Sequence, residues 1–114
     1  MATVLENIYG VLGTISNQLA KSTPATTSTP TNVTASATSV QLLAANAGRK
    51  MATFFNDADK SCYLKTSATA STTSFTTKIA AAGYFELPYP ISADRVDCIW
   101  DASPTGAMRI TEYT

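Results

Sequence analysis

Closely spaced carboxylates are the residues of this sequence with the most evident capacity for chemistry. Asp57 and Asp59 stand two positions apart, and the oxygens of such a pair can contribute to a calcium site. A calcium ion needs about six to eight oxygen ligands, and the spacing of a calcium-binding loop does not continue beyond Asp59. The two residues therefore fit a polar turn better than a metal site.

A second acidic group lies nearer the C-terminus and has the residue type that glycosidases use. Asp94, Asp97 and Asp101 could supply paired carboxylates, but strand alternation predicts an outward face for Asp97 and Asp101. Histidine is absent from the chain, so Ser61 and Ser92 have no partner for a catalytic triad. We therefore expect no catalytic residue, no metal ligand and no cofactor, and a protein that is not an enzyme.

Tyrosines are the remaining residues with binding potential. Exposed tyrosine rings can stack on sugars or line a protein interface, while cross-strand packing is the purely structural alternative. The four residues concerned are Tyr63, Tyr84, Tyr89 and Tyr113. The cysteines Cys62 and Cys98 alternate with other residues along predicted strands and have no metal-ligand neighbours, so we expect two buried, reduced thiols.

Composition narrows the range of partners. Charged residues make up 14% of the chain and the formal net charge is zero, with no basic patch, which argues against nucleic-acid binding. No apolar run is long enough for a membrane span, and residues 1–20 lack the basic start of a signal peptide. The sequence therefore predicts a protein made in a cytoplasm, with neither nucleic acid nor membrane as partner.

The element that best predicts a partner is an apolar stripe at the N-terminus. Its residues follow heptad spacing, with Leu at the a positions and Ile at the d positions, a combination that favours trimers or tetramers. Residues 1–20 are predicted to form an amphipathic helix whose seam is an oligomer or capsid interface. Docking on a different protein and packing on its own β domain are the alternatives. The seam residues are Leu5, Ile8, Leu12, Ile15 and Leu19.

A tether and a β domain are predicted to follow the helix. Residues 21–32 are rich in Thr, Ser and Pro, which predicts a flexible linker. From residue 33 the apolar period changes to two, typical of strands. About seven short strands separated by turns predict a mainly β domain over residues 33–114, a small antiparallel β-sandwich or barrel. The predicted strands are 40–44, 51–56, 61–65, 75–79, 84–87, 95–101 and 108–113, with 51–56 and 61–65 paired as a hairpin.

Several segments of the β domain resemble small virion structural proteins of tailed bacteriophages. The group includes capsid decoration, or cement, proteins, and the resemblance extends over about residues 40–114. The segments are QLLAANAGRK (41–50), FNDAD (55–59), KIAAAGYFELP (78–88), IWDA (99–102) and AMRITE (107–112).

The resemblance and the heptad seam together predict a bacteriophage virion structural protein. We expect a capsid decoration protein, a homotrimer that binds the major capsid protein or another virion protein on the capsid surface and stabilises the head shell. A receptor- or glycan-binding module of a head or tail fibre is the alternative.

Overall fold

The computed structural model describes residues 4–13 and 23–114, and within them the chain is mainly β. Residues 4–13 form a helix, α1. The strands are β1 (Ser28–Thr34), β2 (Val40–Leu43), β3 (Met51–Ala58), β4 (Cys62–Lys65), β5 (Thr77–Ile79), β6 (Tyr84–Glu86), β7 (Val96–Trp100) and β8 (Gly106–Tyr113).

The strands form two four-stranded antiparallel sheets. The first sheet has the order β1-β8-β3-β6 and the second has the order β2-β7-β4-β5. Inward-facing side chains of both sheets build one hydrophobic core, as expected for a sandwich. The prediction of a small antiparallel β-sandwich or barrel with an N-terminal helix is confirmed, and the open form of the two sheets makes it a sandwich.

Strand alternation identified the core correctly. Val96, Cys98 and Trp100 on β7 are fully buried, as are Cys62 and Leu64 on β4. Both cysteines are free thiols, as expected. A hydrogen bond with Cys62, together with burial, raises the pKa of the Cys98 thiol above its ordinary range. This thiol therefore stays protonated and unreactive inside the core at neutral pH.

The predicted hairpin between residues 51–56 and 61–65 is wrong. β3 belongs to the first sheet and β4 to the second, so the short link between them crosses from one sheet to the other. β3 instead pairs with β8 and β6, while β4 pairs with β7 and β5.

Gly106, at the start of β8, lies so close to the end of β3 that a side chain there would collide with the backbone of Asp57 and Ala58.

The predicted linker over residues 21–32 also needs correction, because β1 begins at Ser28. β1 pairs with β8 along its whole length, from Ser28 opposite Tyr113 to Thr34 opposite Ala107. Pro30 is tolerated because β1 is an edge strand, where a missing N–H need not interrupt the sheet. The sandwich therefore includes residues that sequence composition assigned to the tether.

A buried arginine fixes the loops at one end of the first sheet. The Arg49 side chain is fully buried; its Nε donates to Glu112 Oε2 at 2.8 Å. Its terminal nitrogens donate to the backbone oxygens of Ala44, Ser92 and Asp94 at 2.7–2.9 Å. This network joins three separate parts of the chain directly beside Lys50 and Tyr113.

Candidate functional site

The apolar side of α1 is exposed to solvent. Val4, Leu5, Ile8, Val11 and Leu12 each keep between 50% and 58% of their surface exposed. Four of them, together with Asn7, outline a shallow apolar hollow along the helix. Such a contiguous apolar stripe on a helix is typical of a surface that another helix or protein covers.

Of the predicted seam, Leu5, Ile8 and Leu12 lie on this exposed side of α1. Ile15 and Leu19 lie outside the described residues, so their part of the seam stays a prediction. In this structure the first three side chains do not pack on the described β domain. Within residues 4–13 and 23–114, no helix is long and apolar enough to cross a membrane.

The acidic pair Asp57 and Asp59 takes part in contacts within the chain. Asp57 accepts a hydrogen bond from Arg109 Nε at 3.0 Å in an exposed ion pair. Asp59 accepts from the backbone N–H and the hydroxyl of Thr105 at 2.7 and 2.8 Å. These bonds, the backbone one foremost, lower the pKa of Asp59 below its ordinary value. The turn prediction fits Asp59, which follows β3, but it is wrong for Asp57, a residue of β3 whose ion pair with Arg109 joins β3 to β8.

Asp97 is not on an outward, solvated face as alternation predicted. Only 1% of its surface is exposed, and its two carboxylate oxygens accept from Arg95 Nε and Nη2 at 2.9 and 3.1 Å. The loop 66–74 reaches across from β4 to Ser39, whose hydroxyl accepts from the Ala70 N–H, and therefore passes over β7. The arginine and the loop together remove Asp97 from water, with its charge paired.

Asp94 is exposed, and Asp101 accepts a hydrogen bond from Tyr63 at 3.2 Å. Among the described residues, no group of three or more cysteine and acidic side chains is placed to hold a metal ion.

The four candidate tyrosines divide between the two sheets. Tyr63 lies on the outward face of the second sheet, where its ring packs edge-on against Phe75 at 5.0 Å between centroids. The Lys78 ammonium lies 5.4 Å from the same ring, in the range of a cation–π contact. Tyr63 therefore follows the structural alternative of cross-strand packing.

The other three tyrosines come together in a groove on the outward face of the first sheet. We call it the tyrosine groove; its volume is about 630 Å³. Tyr89 is 82% exposed and Tyr84 is 60% exposed. The lining residues are Thr23, Ala25, Lys50, Met51, Thr53, Tyr84, Glu86, Tyr89 and Tyr113.

Strand register explains why these residues share one face. Met51 lies opposite Tyr113 on β8, and Thr53 lies opposite Glu86 on β6. Ala52 and Phe54, which alternate with them along β3, point into the core and are fully buried, so Met51 and Thr53 must point outward.

Two chain segments form the edges of the groove. Residues 23–27 are fixed by hydrogen bonds from the N–H groups of Thr26 and Thr27 to Thr114 O. On the other side, the Leu87 N–H donates to Ala52 O and the Leu87 side chain is buried. Leu87 anchors the segment that carries Tyr89, so this ring is held beside the sheet although it is exposed.

Polar groups in the groove are already oriented. The Tyr84 hydroxyl donates to Glu86 Oε2 at 3.2 Å. Desolvation and this hydrogen bond raise the pKa of Tyr84 above its usual value of 10.0, so the hydroxyl is a donor at neutral pH. Lys50 Nζ donates to Thr23 Oγ1 at 2.9 Å and to Pro24 O at 3.0 Å. The groove therefore combines aromatic rings with fixed hydrogen-bonding groups, as small-ligand sites do.

The architecture defines a class, the two-sheet antiparallel β-sandwich with an N-terminal helix. No family model matches the chain, and no curated protein matches it. Among solved structures, the chain is similar to the stem and receptor-binding domain of the spike protein P1 from bacteriophage PM2, with a TM-score of 0.54 and 12% identity. The similarity covers 69% of this chain and 31% of the P1 chain. The TM-score indicates a shared fold, and at 12% identity the similarity shows the fold alone.

Proposed function

We propose that the chain is a structural protein of a bacteriophage virion, and that it is a capsid decoration protein. In this proposal α1 attaches the protein, as a homotrimer, to the major capsid protein or another virion protein. The β-sandwich is then displayed at the capsid surface. The observation that carries the proposal is the exposed apolar side of α1, because Leu5, Ile8 and Leu12 need a cover that the described β domain does not provide.

Further observations support a structural role. The sandwich buries its own hydrophobic core, so its fold does not depend on contact with the shell. Attachment through the helix is then sufficient. The resemblance of residues 40–114 to tailed-phage virion proteins points to the same setting, and the fold is one that a bacteriophage spike protein also uses. Attachment through several linked helices multiplies weak contacts, which suits a protein that bridges repeated sites on a shell.

A non-enzymatic role is part of the proposal. The carboxylates considered for catalysis are engaged in structural contacts, Asp94 with the backbone N–H of Arg95, Asp97 with the Arg95 side chain and Asp101 with Tyr63. A glycosidase needs two carboxylates on opposite sides of a cleft, an arrangement that these pairings do not favour.

A receptor-binding module of a head or tail fibre is the second candidate function. The tyrosine groove favours it, because exposed tyrosines beside fixed polar groups are typical of recognition surfaces. The P1 structure with the shared fold contains a receptor-binding domain, which supports the same candidate.

Virions that lack the protein separate the two candidates. A decoration protein adds buried interface across joints in the shell, so we expect the virions to assemble but to release DNA at a lower temperature and after milder osmotic shock. DNA release on heating is the measurement, and virions supplied with the wild-type chain are the control. Wild-type heat tolerance combined with failure to adsorb to cells would contradict decoration and support receptor binding.

The role of the helix seam is tested by Leu12→Asp. The variant should dissociate the oligomer or abolish attachment to virions, because it buries a carboxylate without a partner in the interface. Sedimentation of the pure protein and co-purification with virions measure the two effects. The sandwich should remain folded, as judged by circular dichroism.

Gly13→Asp is the matched control for this variant. It places the same carboxylate off the seam, about 100° around α1 from Leu12, where a side chain meets nothing within 4 Å. Because Asp is a better helix former than Gly, the control does not weaken the helix. If both variants keep the wild-type oligomeric state and attachment, the seam is not an interface.

A further inference from the structure

We propose that the tyrosine groove binds a neutral oligosaccharide. This inference rests on the second candidate function and names the ligand class and the face that recognises it. The outward face of the second sheet is less suitable, because loop 66–74 passes over β7 and the Tyr63 ring is packed against Phe75. The groove face has no such cover among the described residues.

The exposed rings supply the apolar half of sugar recognition. A pyranose ring presents C–H groups on its faces and hydroxyls around its rim, so it can pack against an aromatic ring while its rim stays polar. Tyr89 and Tyr84 keep 82% and 60% of their surfaces exposed. Tyrosine side chains provide such contact area with little loss of conformational entropy. Because Leu87 anchors the chain beside Tyr89, the backbone that carries this ring is held at the edge of the groove.

Fixed hydrogen-bond donors and acceptors in the groove match the hydroxyl groups of a sugar. The Glu86 carboxylate accepts from Tyr84, but an ionised carboxylate has about four acceptor sites, so it can accept sugar hydroxyls as well. The Lys50 ammonium has three donors, and its bonds to Thr23 and Pro24 use two of them. A sugar rim carries hydroxyls that can both donate and accept, which matches one acceptor group and one donor group at the two sides of the groove.

Charge balance favours a neutral sugar over an acidic one. The described lining contains one ammonium, on Lys50, and one carboxylate, on Glu86. An acidic sugar would gain from the first and be repelled by the second, whereas a neutral sugar uses both without a net electrostatic cost. Sites for acidic ligands typically use clusters of arginines instead.

Groove size and shape favour an oligosaccharide over a single sugar or a second copy of the chain. The volume of about 630 Å³ lies within the roughly 300–1,000 Å³ range of ligand sites, and the groove is open along the sheet. A stable contact between two proteins buries about 800 Å² on each partner around an apolar centre. Here the lining includes Lys50, Thr53 and Glu86, which are polar or charged.

The test is binding of the full chain to an array of neutral and acidic polysaccharides purified from bacterial surfaces. We expect binding to at least one neutral glycan, confirmed by saturation-transfer NMR with an oligosaccharide cut from it. Tyr89→Ala should weaken the affinity about tenfold through loss of the ring contact, and Glu86→Gln should weaken it through loss of a charged acceptor. Tyr9→Ala is the matched control, because Tyr9 is an equally accessible ring on α1, 70% exposed.

Each other outcome overturns the proposal. Binding to no glycan, binding to acidic glycans alone, or equal affinities of Tyr89→Ala and wild type would each refute a neutral-sugar site. If Tyr89→Ala instead changes the sedimentation of the pure protein, the groove is an interface between copies. Because the assay uses no virions, its failure leaves helix attachment and capsid stability untouched and is distinguishable from failure of the proposed function.

Discussion

Replacing Arg49 with methionine is expected to lower the free energy of unfolding by about 3–5 kcal/mol. The Arg49 side chain is fully buried, and its donors serve Glu112 and three backbone oxygens. Methionine fills a similar space but donates nothing, so three carbonyls lose the Arg49 donors and Glu112 loses its counter-charge, keeping the hydrogen bond from Asn46 Nδ2 at 3.3 Å. Small domains have total stabilities of about 5–15 kcal/mol, so the variant should approach the limit of folding at room temperature. Urea unfolding, followed by circular dichroism, measures the loss.

Arg109→Met is the matched control, because it removes the same charge from an exposed ion pair. Arg109 and Asp57 keep 50% and 51% of their side-chain surfaces exposed, and such pairs contribute about 0–1 kcal/mol. The prediction fails if both variants unfold at the same urea concentration. Adding Glu112→Gln to Arg49→Met should recover part of the loss, because it removes the carboxylate that the first change leaves without its counter-charge.

Arg49 illustrates what the sequence could not predict. The run Asn46-Ala47-Gly48-Arg49 is typical of a turn, and a turn arginine is ordinarily solvated. The partners of Arg49 lie 5, 43, 45 and 63 positions away along the chain, so the network exists only once two distant loops and strand β8 meet. No local pattern encodes such a meeting. Asp97 differs in this respect: Arg95 stands two positions before it and shares its face of the strand, so their pairing could have been predicted from alternation alone.

The core was predictable because alternation depends only on local geometry. Residues two apart on a strand point to the same side, and the apolar side must leave water, so Val96, Cys98 and Trp100 were assigned correctly. Alternation does not reveal which strands become neighbours. The links between β3 and β4 and between β5 and β6 are both short enough for hairpins, but each one crosses between the sheets. The predicted hairpin failed for that reason.

The candidate binding surfaces were predictable to different degrees. The helix seam is predicted from residue spacing; Leu5, Ile8 and Leu12 are exposed on α1, and their role as an interface stays a prediction. The tyrosine groove depends on register between distant strands, since Met51 meets Tyr113 and Thr53 meets Glu86. Sequence analysis could name three of its tyrosines as candidates, but it could not bring them together or separate them from Tyr63. No local pattern in the sequence around Lys50 or Glu86 indicated that either residue belongs to a binding surface.

A second large effect is expected from Asn56→Asp, which replaces the side-chain NH2 group by an oxygen in the centre of the sandwich. Asn56 is fully buried. Its Nδ2 donates to the backbone oxygens of Lys60, Ile79 and Ala80 at 2.9, 3.0 and 3.2 Å. Its Oδ1 accepts from Trp100 Nε1 at 3.0 Å. The residue thus connects β3 to β7 and fixes the β3–β4 and β5–β6 links, both of which cross between the sheets.

Aspartate places a second oxygen where three carbonyl oxygens converge. An ionised carboxylate there would face three acceptors in a buried site, so the folded protein should keep the group protonated and raise its pKa far above the unfolded value of about 3.9. A folded-state pKa above the unfolded one makes stability highest below about pH 4 and lowers it as the pH rises toward the folded value. Over about three pH units, up to pH 7, the loss amounts to about 4 kcal/mol.

Unfolding in urea at pH 4.5 and pH 7 measures this effect, with circular dichroism as the probe because Trp100 is itself a partner of Asn56. Asn32→Asp is the matched control: it makes the same chemical change at an exposed position on the edge strand β1, where surface substitutions usually stay within about 0.5 kcal/mol. We expect Asn56→Asp to be much less stable than this control at pH 7 and to approach it at pH 4.5. Equal stabilities at both pH values would mean that the Asn56 amide is not what holds the crossing links in place.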